Sequence, residues 1–168
     1  MTNEDDLICI FTPTKNSKIY GYVMFSKSNN KLTKVYFNLS GFEPCKSHAI
    51  HIHEFSDLSN GCMSLGGHYN PYNKEHGNIN IHGTDRHAGD LINNLHSDKC
   101  GKFVYSYYDN LIDIKDIVNR SIVIHEGTDD LGLYRDDNSV SKEKRLGSKT
   151  TGNAGGRMTC SIIKKLNK

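Results

Sequence analysis

The most informative stretch of this 168-residue sequence runs Ser47-His48-Ala49-Ile50-His51-Ile52-His53-Glu54-Phe55. Its polar and apolar side chains alternate, and a period of two predicts a β-strand. On such a strand His51 and His53 share one face, while Ile50 and Ile52 share the other. Two imidazoles on one face can reach the same metal ion. An isolated HxH pair is nevertheless more often part of a solvated strand face, so the spacing alone leaves both interpretations open.

Short alternating segments of this kind recur along the chain. Tyr, Val, Ile and Phe fill their apolar positions and polar turns separate them, which favours strands over helices. We predict strands at 7–12, 19–26, 32–39, 47–55, 87–95, 102–108, 121–125 and 157–164. Two long irregular stretches, 56–87 and 126–154, interrupt them. This pattern predicts an all-β fold, an antiparallel sandwich or barrel, in a single domain spanning 1–168.

Composition narrows the classes of function. The chain has 36% apolar and 24% charged residues, enough for one buried core. Its 21 Lys and Arg against 19 Asp and Glu give a formal charge of +2, too balanced to indicate nucleic-acid binding. The sequence contains no run of about 18 apolar residues, the length that a membrane-spanning helix requires. Its first residues are polar and acidic, unlike a signal peptide, so we expect a cytoplasmic protein. The five cysteines are spread singly, without a CxxC motif.

Eight of the nine histidines lie between positions 48 and 96. Within that region, three imidazoles and one carboxylate form a closed tetrahedral set that suits zinc. This set consists of His68, His76, His87 and Asp90. Glycines beside these residues would let the backbone fold tightly enough to converge on one ion.

The HxH pair needs further nitrogen partners. His125 ends the strong predicted strand at 121–125 and is the obvious remote donor for His51 and His53. An imidazole-rich site with an open position suits copper as well as zinc. Metal binding is therefore favoured over a solvated histidine cluster.

Several further segments stand in one order along nearly the whole chain. They read Asn60-Gly61-Cys62, Gly67-His68-Tyr69-Asn70-Pro71, Lys74-Glu75-His76-Gly77, Arg86-His87-Ala88-Gly89-Asp90-Leu91, His125-Glu126, Asp129-Asp130-Leu131-Gly132 and Thr151-Gly152-Asn153-Ala154-Gly155-Gly156-Arg157. Because these segments and residues 48–55 follow one another in this order, the sequence resembles the copper/zinc superoxide dismutase family.

The resemblance implies an eight-stranded Greek-key β-sandwich or barrel of immunoglobulin-like architecture. A metal-binding loop would span about 56–90 and an electrostatic loop about 126–154. The copper ligands that it implies are His51, His53, His68 and His125. The zinc ligands that it implies are His68, His76, His87 and Asp90, so His68 bridges the two ions. The implied activity is disproportionation of superoxide to oxygen and hydrogen peroxide by a redox-cycling copper beside a structural zinc, which protects against oxidative stress.

The resemblance also assigns roles beyond the ligands. Asp129 would accept hydrogen bonds from the outer nitrogens of His51 and His76, which fixes both rings. Arg157 would dock the anionic substrate beside the copper. The bridging His68 would carry a proton for the second half-reaction. Arg157 and His68 are therefore the catalytic candidates.

The resemblance also implies a disulfide bond and contacts with partner proteins. Cys62 and Cys160 would form the intrasubunit disulfide, and the partners would be a second copy of the chain, in a homodimer, and a copper chaperone. Lys164 and Lys165 follow the apolar end of the last strand and are unfavourable in a desolvated contact unless they reach solvent. The segment 133–149 is longer and more charged than the family usually shows. Abundant Asn, Lys and Ile suggest a large DNA virus as the source, with host-cell cytoplasm or the virion as the compartment.

Two alternatives stay open beside the dismutase. One is a non-catalytic relative that binds zinc or acts as a decoy for a copper-delivery partner; the other is a metal-storage module. The presence of all four copper histidines and of Arg157 argues against the first, because non-catalytic members typically lose one of them. A storage module explains neither Arg157 nor the cysteine pair.

Overall fold

The computed structural model describes residues 5–28 and 32–166; positions 1–4, 29–31, 167 and 168 of the predicted 1–168 domain lie outside the described residues. The strands are β1 (Leu7–Phe11), β2 (Tyr20–Lys27), β3 (Thr33–Ser40), β4 (Ser47–His53), β5 (Asn94–His96), β6 (Lys102–Asp109), β7 (Ser121–His125) and β8 (Arg157–Lys165). The helices are α1 (Ile79–His82), α2 (Ile114–Ile117) and α3 (Lys142–Thr150), with 3₁₀ turns at Gly61–Ser64 and Ala88–Asp90.

The strands form a nearly closed antiparallel barrel in the order β5-β4-β7-β8-β1-β2-β3-β6. Consecutive strands β1, β2 and β3 form a meander, but β3 pairs with β6 and β4 pairs with β7. These two non-consecutive pairings are the crossovers of a Greek key. The all-β prediction is confirmed, and the described residues form eight strands, the number predicted.

Strand β4 shows how the barrel serves two purposes. Ile50 and Ile52 are completely buried in the apolar core. His51 and His53 point to the opposite face and are buried as well, beneath the long loops. The alternation read from the sequence is therefore correct, but the polar face is covered rather than solvated.

The predicted strand at 87–95 is wrong over most of its length. Its first part forms the 3₁₀ turn Ala88–Asp90, and only Asn94–His96 pairs as a strand. The turn forms because the Asp90 carboxylate accepts the His87 backbone N–H at 3.0 Å and pulls the chain back on itself. It also passes very close to β4, since a Cβ on Gly89 would lie 2.4 Å from the Ile52 carbonyl oxygen.

The long stretches predicted to be irregular contain short helices. Helix α3 begins after Ser141, whose hydroxyl accepts the Lys144 backbone N–H at 3.2 Å as an N-cap. The first stretch contains the single turn of α1 and the 3₁₀ turn Gly61–Ser64. Among the described residues no helix is long and apolar enough to cross a membrane.

Candidate metal centre

Four histidines from three parts of the chain converge on one face of the barrel. His51 and His53 extend from β4, and His125 comes from the end of β7, where an irregularity in the pairing with β8 shifts the register. A β-bridge to His53 brings in His68 from the loop. All four offer a nitrogen within 4.8 Å of the others, and the rings of His51 and His68 are 3.9 Å apart. We call these residues the imidazole group.

Each ring of the imidazole group has one nitrogen that is already in use. His51 Nε2 lies 2.6 Å from Asp129 Oδ2, and His53 Nδ1 lies 3.0 Å from the Gly66 carbonyl oxygen. His125 Nδ1 lies 3.3 Å from another backbone carbonyl, and His68 Nδ1 lies 3.0 Å from a carboxylate oxygen. These contacts orient the rings and leave the second nitrogen of each ring facing its neighbours.

The second nitrogens are buried and have no hydrogen-bond partner among the described residues. They are His51 Nδ1, His53 Nε2, His68 Nε2 and His125 Nε2. Buried polar atoms are rarely unpaired in proteins, because leaving one unpaired costs about 1–3 kcal/mol. Four such atoms at one place are therefore a fitting donor set for a metal ion, and imidazole nitrogen suits copper.

Electrostatics favours the unprotonated form of these rings. Burial lowers the pKa of His68 to about 3 and that of His125 to about 4, and it lowers the pKa of His51 and His53 as well. At neutral pH the four free nitrogens therefore carry lone pairs. A metal can bind them without first displacing protons.

A second group shares His68 with the first. Three Nδ1 atoms, those of His68, His76 and His87, lie 3.0, 2.9 and 3.0 Å from Asp90 Oδ1. The Nδ1 atoms of His68 and His87 are themselves only 3.4 Å apart. Three nitrogens and one oxygen around a common centre match the tetrahedral coordination of zinc, and we call these residues the three-histidine–aspartate group.

The Asp90 carboxylate is fixed through its other oxygen. Oδ2 accepts backbone N–H groups from Gly77 at 2.9 Å and from His87 at 3.0 Å. Burial alone would raise the pKa of Asp90, but hydrogen bonds with the neighbouring histidines hold it well below its usual range. The ligand oxygen is therefore charged and points to the centre of the group.

Asp129 connects the two groups. Its Oδ2 lies 2.6 Å from His51 Nε2, and its Oδ1 lies 2.9 Å from His76 Nε2. Burial alone would lower the pKa of His76, but the hydrogen bonds to Asp129 and Asp90 raise it to about 10. The same carboxylate oxygen that faces His76 also accepts the Leu131 backbone N–H at 2.6 Å. Asp129 therefore stabilises a turn and also contacts both His51 and His76, the two rings that the family resemblance assigned to it.

Two asparagines that the sequence reasoning did not single out hold Asp129. Asn93 Nδ2 donates to Asp129 Oδ2 at 3.2 Å. Asn94 pairs with the Asp129 backbone twice, donating to its carbonyl at 2.9 Å and accepting its N–H at 2.8 Å. Adjacent asparagines are common in loops, so no pattern in the sequence distinguished them.

Arg157 lies at the rim of the imidazole group. It pairs with His125 across β7 and β8, and its guanidinium donates to the carbonyls of Cys62 and Gly66, both at 2.6 Å. It lines a cleft of about 390 Å³ together with His53 and other residues of the group. A fixed cation therefore stands beside the four free nitrogens.

A disulfide anchors the loop that carries these carbonyls. Cys62 and Cys160 are bonded with a Cα–Cα distance of 5.7 Å, across 98 positions of sequence. The pairing implied by resemblance is confirmed. In the chain-entropy model, closing a loop of this length contributes about 4–5 kcal/mol to stability.

The sequence model described as copper/zinc superoxide dismutase (SODC) matches residues 19–163. The chain belongs to this family. A protein named Superoxide dismutase (Cu-Zn) from Humicola lutea is 44% identical over 88% of this chain and 92% of its own length. One of the same name from Paramecium bursaria Chlorella virus 1 is 40% identical over 86% of this chain and 72% of its own. The crystal structure of the clock protein EA4 aligns at 32% identity with a TM-score of 0.80, covering 99% of this chain and 98% of that one.

Three histidines of this copper/zinc superoxide dismutase family member stand outside both groups, as the sequence reasoning expected. His48 Nδ1 lies 3.0 Å from the His125 carbonyl and supports the backbone of the imidazole group. His82 Nδ1 accepts the Asn78 backbone N–H, and His96 is exposed beside Ser47. The structure therefore brings together every histidine that the sequence assigned to a metal and separates the other three.

Proposed function

We propose that this chain catalyses the disproportionation of superoxide to oxygen and hydrogen peroxide. In this proposal copper binds the imidazole group and zinc binds the three-histidine–aspartate group. The observation that carries it is the convergence of four buried, unpartnered imidazole nitrogens beside the cation of Arg157. Membership of the copper/zinc superoxide dismutase family supports the same activity.

Copper held by the imidazole group would supply one-electron redox chemistry, and zinc held by the three-histidine–aspartate group would supply a fixed charge that does not change oxidation state. The protein supplies the ring of His68, whose Nε2 faces the imidazole group and whose Nδ1 faces Asp90. When His68 Nε2 is not engaged by the metal, it would take up a proton from water at the cleft and pass it to the reduced substrate, while the second proton of hydrogen peroxide would come from water. His68 is therefore the catalytic proton carrier in this proposal.

Arg157 is the proposed docking residue for the anion. A guanidinium stays charged at any physiological pH, and two of its N–H groups are already fixed on the carbonyls of Cys62 and Gly66. The side chain is thus held in place before substrate arrives. A preorganised cation in a cleft raises the local concentration of an anionic substrate.

Metal analysis combined with a superoxide assay tests the function. Protein loaded with copper and zinc should hold both metals and consume superoxide, and removal of copper should abolish the activity until copper is restored. Full occupancy of both sites without activity would refute the proposal and leave a non-catalytic metal-binding protein.

We further propose that two copies associate through an apolar face beside the disulfide. Ile10 and Phe55 each expose 55% of their surface. Ser161 Oγ donates to the Ile10 carbonyl, and Ser121, which pairs with Ile162, donates to the Phe55 carbonyl at 2.7 Å, so both apolar residues lie against the strand pair β7 and β8. Light scattering should give twice the monomer mass of 18.9 kDa. A monomer at micromolar concentration would contradict the homodimer.

The proposal includes copper delivery by a partner protein. It also includes a cytoplasmic location, which is the host-cell cytoplasm if the source is viral. The relatives include a chlorella virus protein as well as proteins from Humicola lutea and Dictyostelium discoideum, so a viral source is part of the proposal and not a finding. Expression in cells lacking the copper chaperone, followed by analysis of copper content, tests the delivery route; unchanged copper content would exclude a required chaperone. Cell fractionation tests the location.

A further inference from the structure

The charged segment 132–150 packs against one residue of the three-histidine–aspartate group. The His76 backbone N–H donates to the Lys149 carbonyl at 2.7 Å, and the His76 carbonyl accepts from Arg135 Nη1 at 3.4 Å. Contact is close enough that a Cβ on Gly132 would lie 2.8 Å from the His76 carbonyl oxygen. Both backbone polar groups of His76 are therefore held by this segment.

Ion pairs join the same segment to the loop around His76. Lys149 Nζ lies 3.0 Å from Glu75 Oε1, next to His76 in the chain. Arg135 Nη2 lies 3.2 Å from Asp85 Oδ2, and its Nε lies 3.9 Å from Glu75 Oε2. These ion pairs therefore fix the segment to the chain on both sides of His76.

Asp136 completes the network from the segment's own side. It lies 3.4 Å from Arg135 Nε and 3.5 Å from Lys149 Nζ, and so holds the two cations near each other. Single exposed ion pairs contribute little, but a network with a largely covered arginine contributes more. The Arg135 side chain is only 15% exposed, which is unusual for a surface arginine.

We propose that Arg135 and Lys149 are positioning residues for the three-histidine–aspartate group, and that they slow the loss of zinc by holding His76 in place. This inference rests on the proposed zinc site. Partners that orient a metal ligand from outside typically change metal affinity by about 10–100-fold. Because the contacts are partly ionic, retention of zinc should depend on salt concentration.

The rate of zinc transfer to a chromogenic chelator tests the proposal in Arg135→Gln and Lys149→Gln. We expect transfer about tenfold faster in each variant at low salt. The matched control is Lys142→Gln, which removes the same charge from the exposed start of α3; among the described residues Lys142 makes no ion pair. The control should transfer zinc within about twofold of the unsubstituted protein.

Two further readouts separate positioning from general destabilisation. The visible spectrum of cobalt(II) in the zinc site should change in Arg135→Gln and stay unchanged in Lys142→Gln, because that spectrum reports ligand geometry. Raising salt from about 0.05 M to about 1 M should accelerate zinc loss from the unsubstituted protein more than from either variant.

Two other outcomes are distinguishable. If Arg135→Gln and Lys149→Gln behave like Lys142→Gln in rate and spectrum, the positioning role is overturned while the zinc site stands. If the unsubstituted protein binds neither zinc nor cobalt at this group, the proposed function itself fails.

Discussion

The two metal groups are built in different ways. Three of the four imidazole-group histidines stand on β4 and β7, inside an antiparallel ladder whose other face is the core. In the three-histidine–aspartate group, every ligand comes from the loop between β4 and β5. A strand places side chains by its period alone, whereas a loop needs a separate contact for each ligand. His68 belongs to both groups and so joins a rigid site to one that depends on its surroundings.

Removing the shared ligand should have the largest effect. His68→Ala should reduce superoxide activity to background and weaken zinc binding by more than about 100-fold, since both groups lose a ligand. Activity and metal content of the reconstituted protein check this. His96→Ala, an exposed histidine outside both groups, is the control and should change neither. Retained zinc affinity in His68→Ala would show that the groups do not share this residue.

Changing the charge beside the imidazole group should leave the metals in place. Arg157→Glu should keep copper and zinc yet lower the rate constant for superoxide by about 10–1000-fold, because an anion now repels the substrate. Arg157→Lys, which keeps the positive charge, should lower this rate constant less. The measurement is the rate constant at several salt concentrations. Unchanged activity in Arg157→Glu would eliminate the docking role.

The carboxylate that connects the groups should matter more for the loop site. Asp129→Asn should weaken zinc binding by about 10–100-fold, because His76 loses its charged partner while His51 stays fixed on β4. Competition with a chelator measures both metals. An equal loss of copper and zinc would show that the strand site is no more rigid than the loop site.

The contact between β4 and the loop that follows it can be tested without replacing a metal ligand. Gly89→Ala should reduce the free energy of unfolding of the metal-free protein by about 1–3 kcal/mol, because the new Cβ meets the Ile52 carbonyl at 2.4 Å. Gly67→Ala is the control, since its nearest neighbour is the Glu54 carboxylate at 3.8 Å. Denaturant unfolding compares the two. Similar stabilities would mean that the loop shifts away from β4 easily.

Mild acid should destabilise the metal-free protein by a smaller amount. His125 and His68 have folded-state pKa values of about 4 and about 3, below the unfolded value of about 6.5. The unfolded chain therefore binds more protons, and stability falls as pH drops from about 6.5 towards 4. His76 acts in a different pH range: its raised pKa of about 10 gives stability that is full and constant below about 6.5 and is lost as pH rises through 10. A flat or rising stability between pH 6.5 and 4 would contradict the burial of the two rings.

Strand predictions were correct where alternating polar and apolar residues form strands that are paired in the sheet. β4 and β7 were predicted at nearly the observed bounds, because residues that alternate with a period of two lie on opposite faces of a strand. The predicted strand at 87–95 failed because Asp90 folds the chain back through its own side chain. Helix α3 was missed because its charged sequence has no apolar stripe, and its Ser141 cap is a weak signal in isolation.

The sequence by itself determined most of the strands, the donor chemistry and, through resemblance, the expected metal ligands and the disulfide pair. These follow from residue type, period and order along the chain. Only the tertiary structure decided that four imidazole nitrogens are left unpaired, that Asn93 and Asn94 hold Asp129, and that Arg135 and Lys149 hold His76. Those contacts join residues far apart in sequence, and their partners are set by how the loops pack on the barrel.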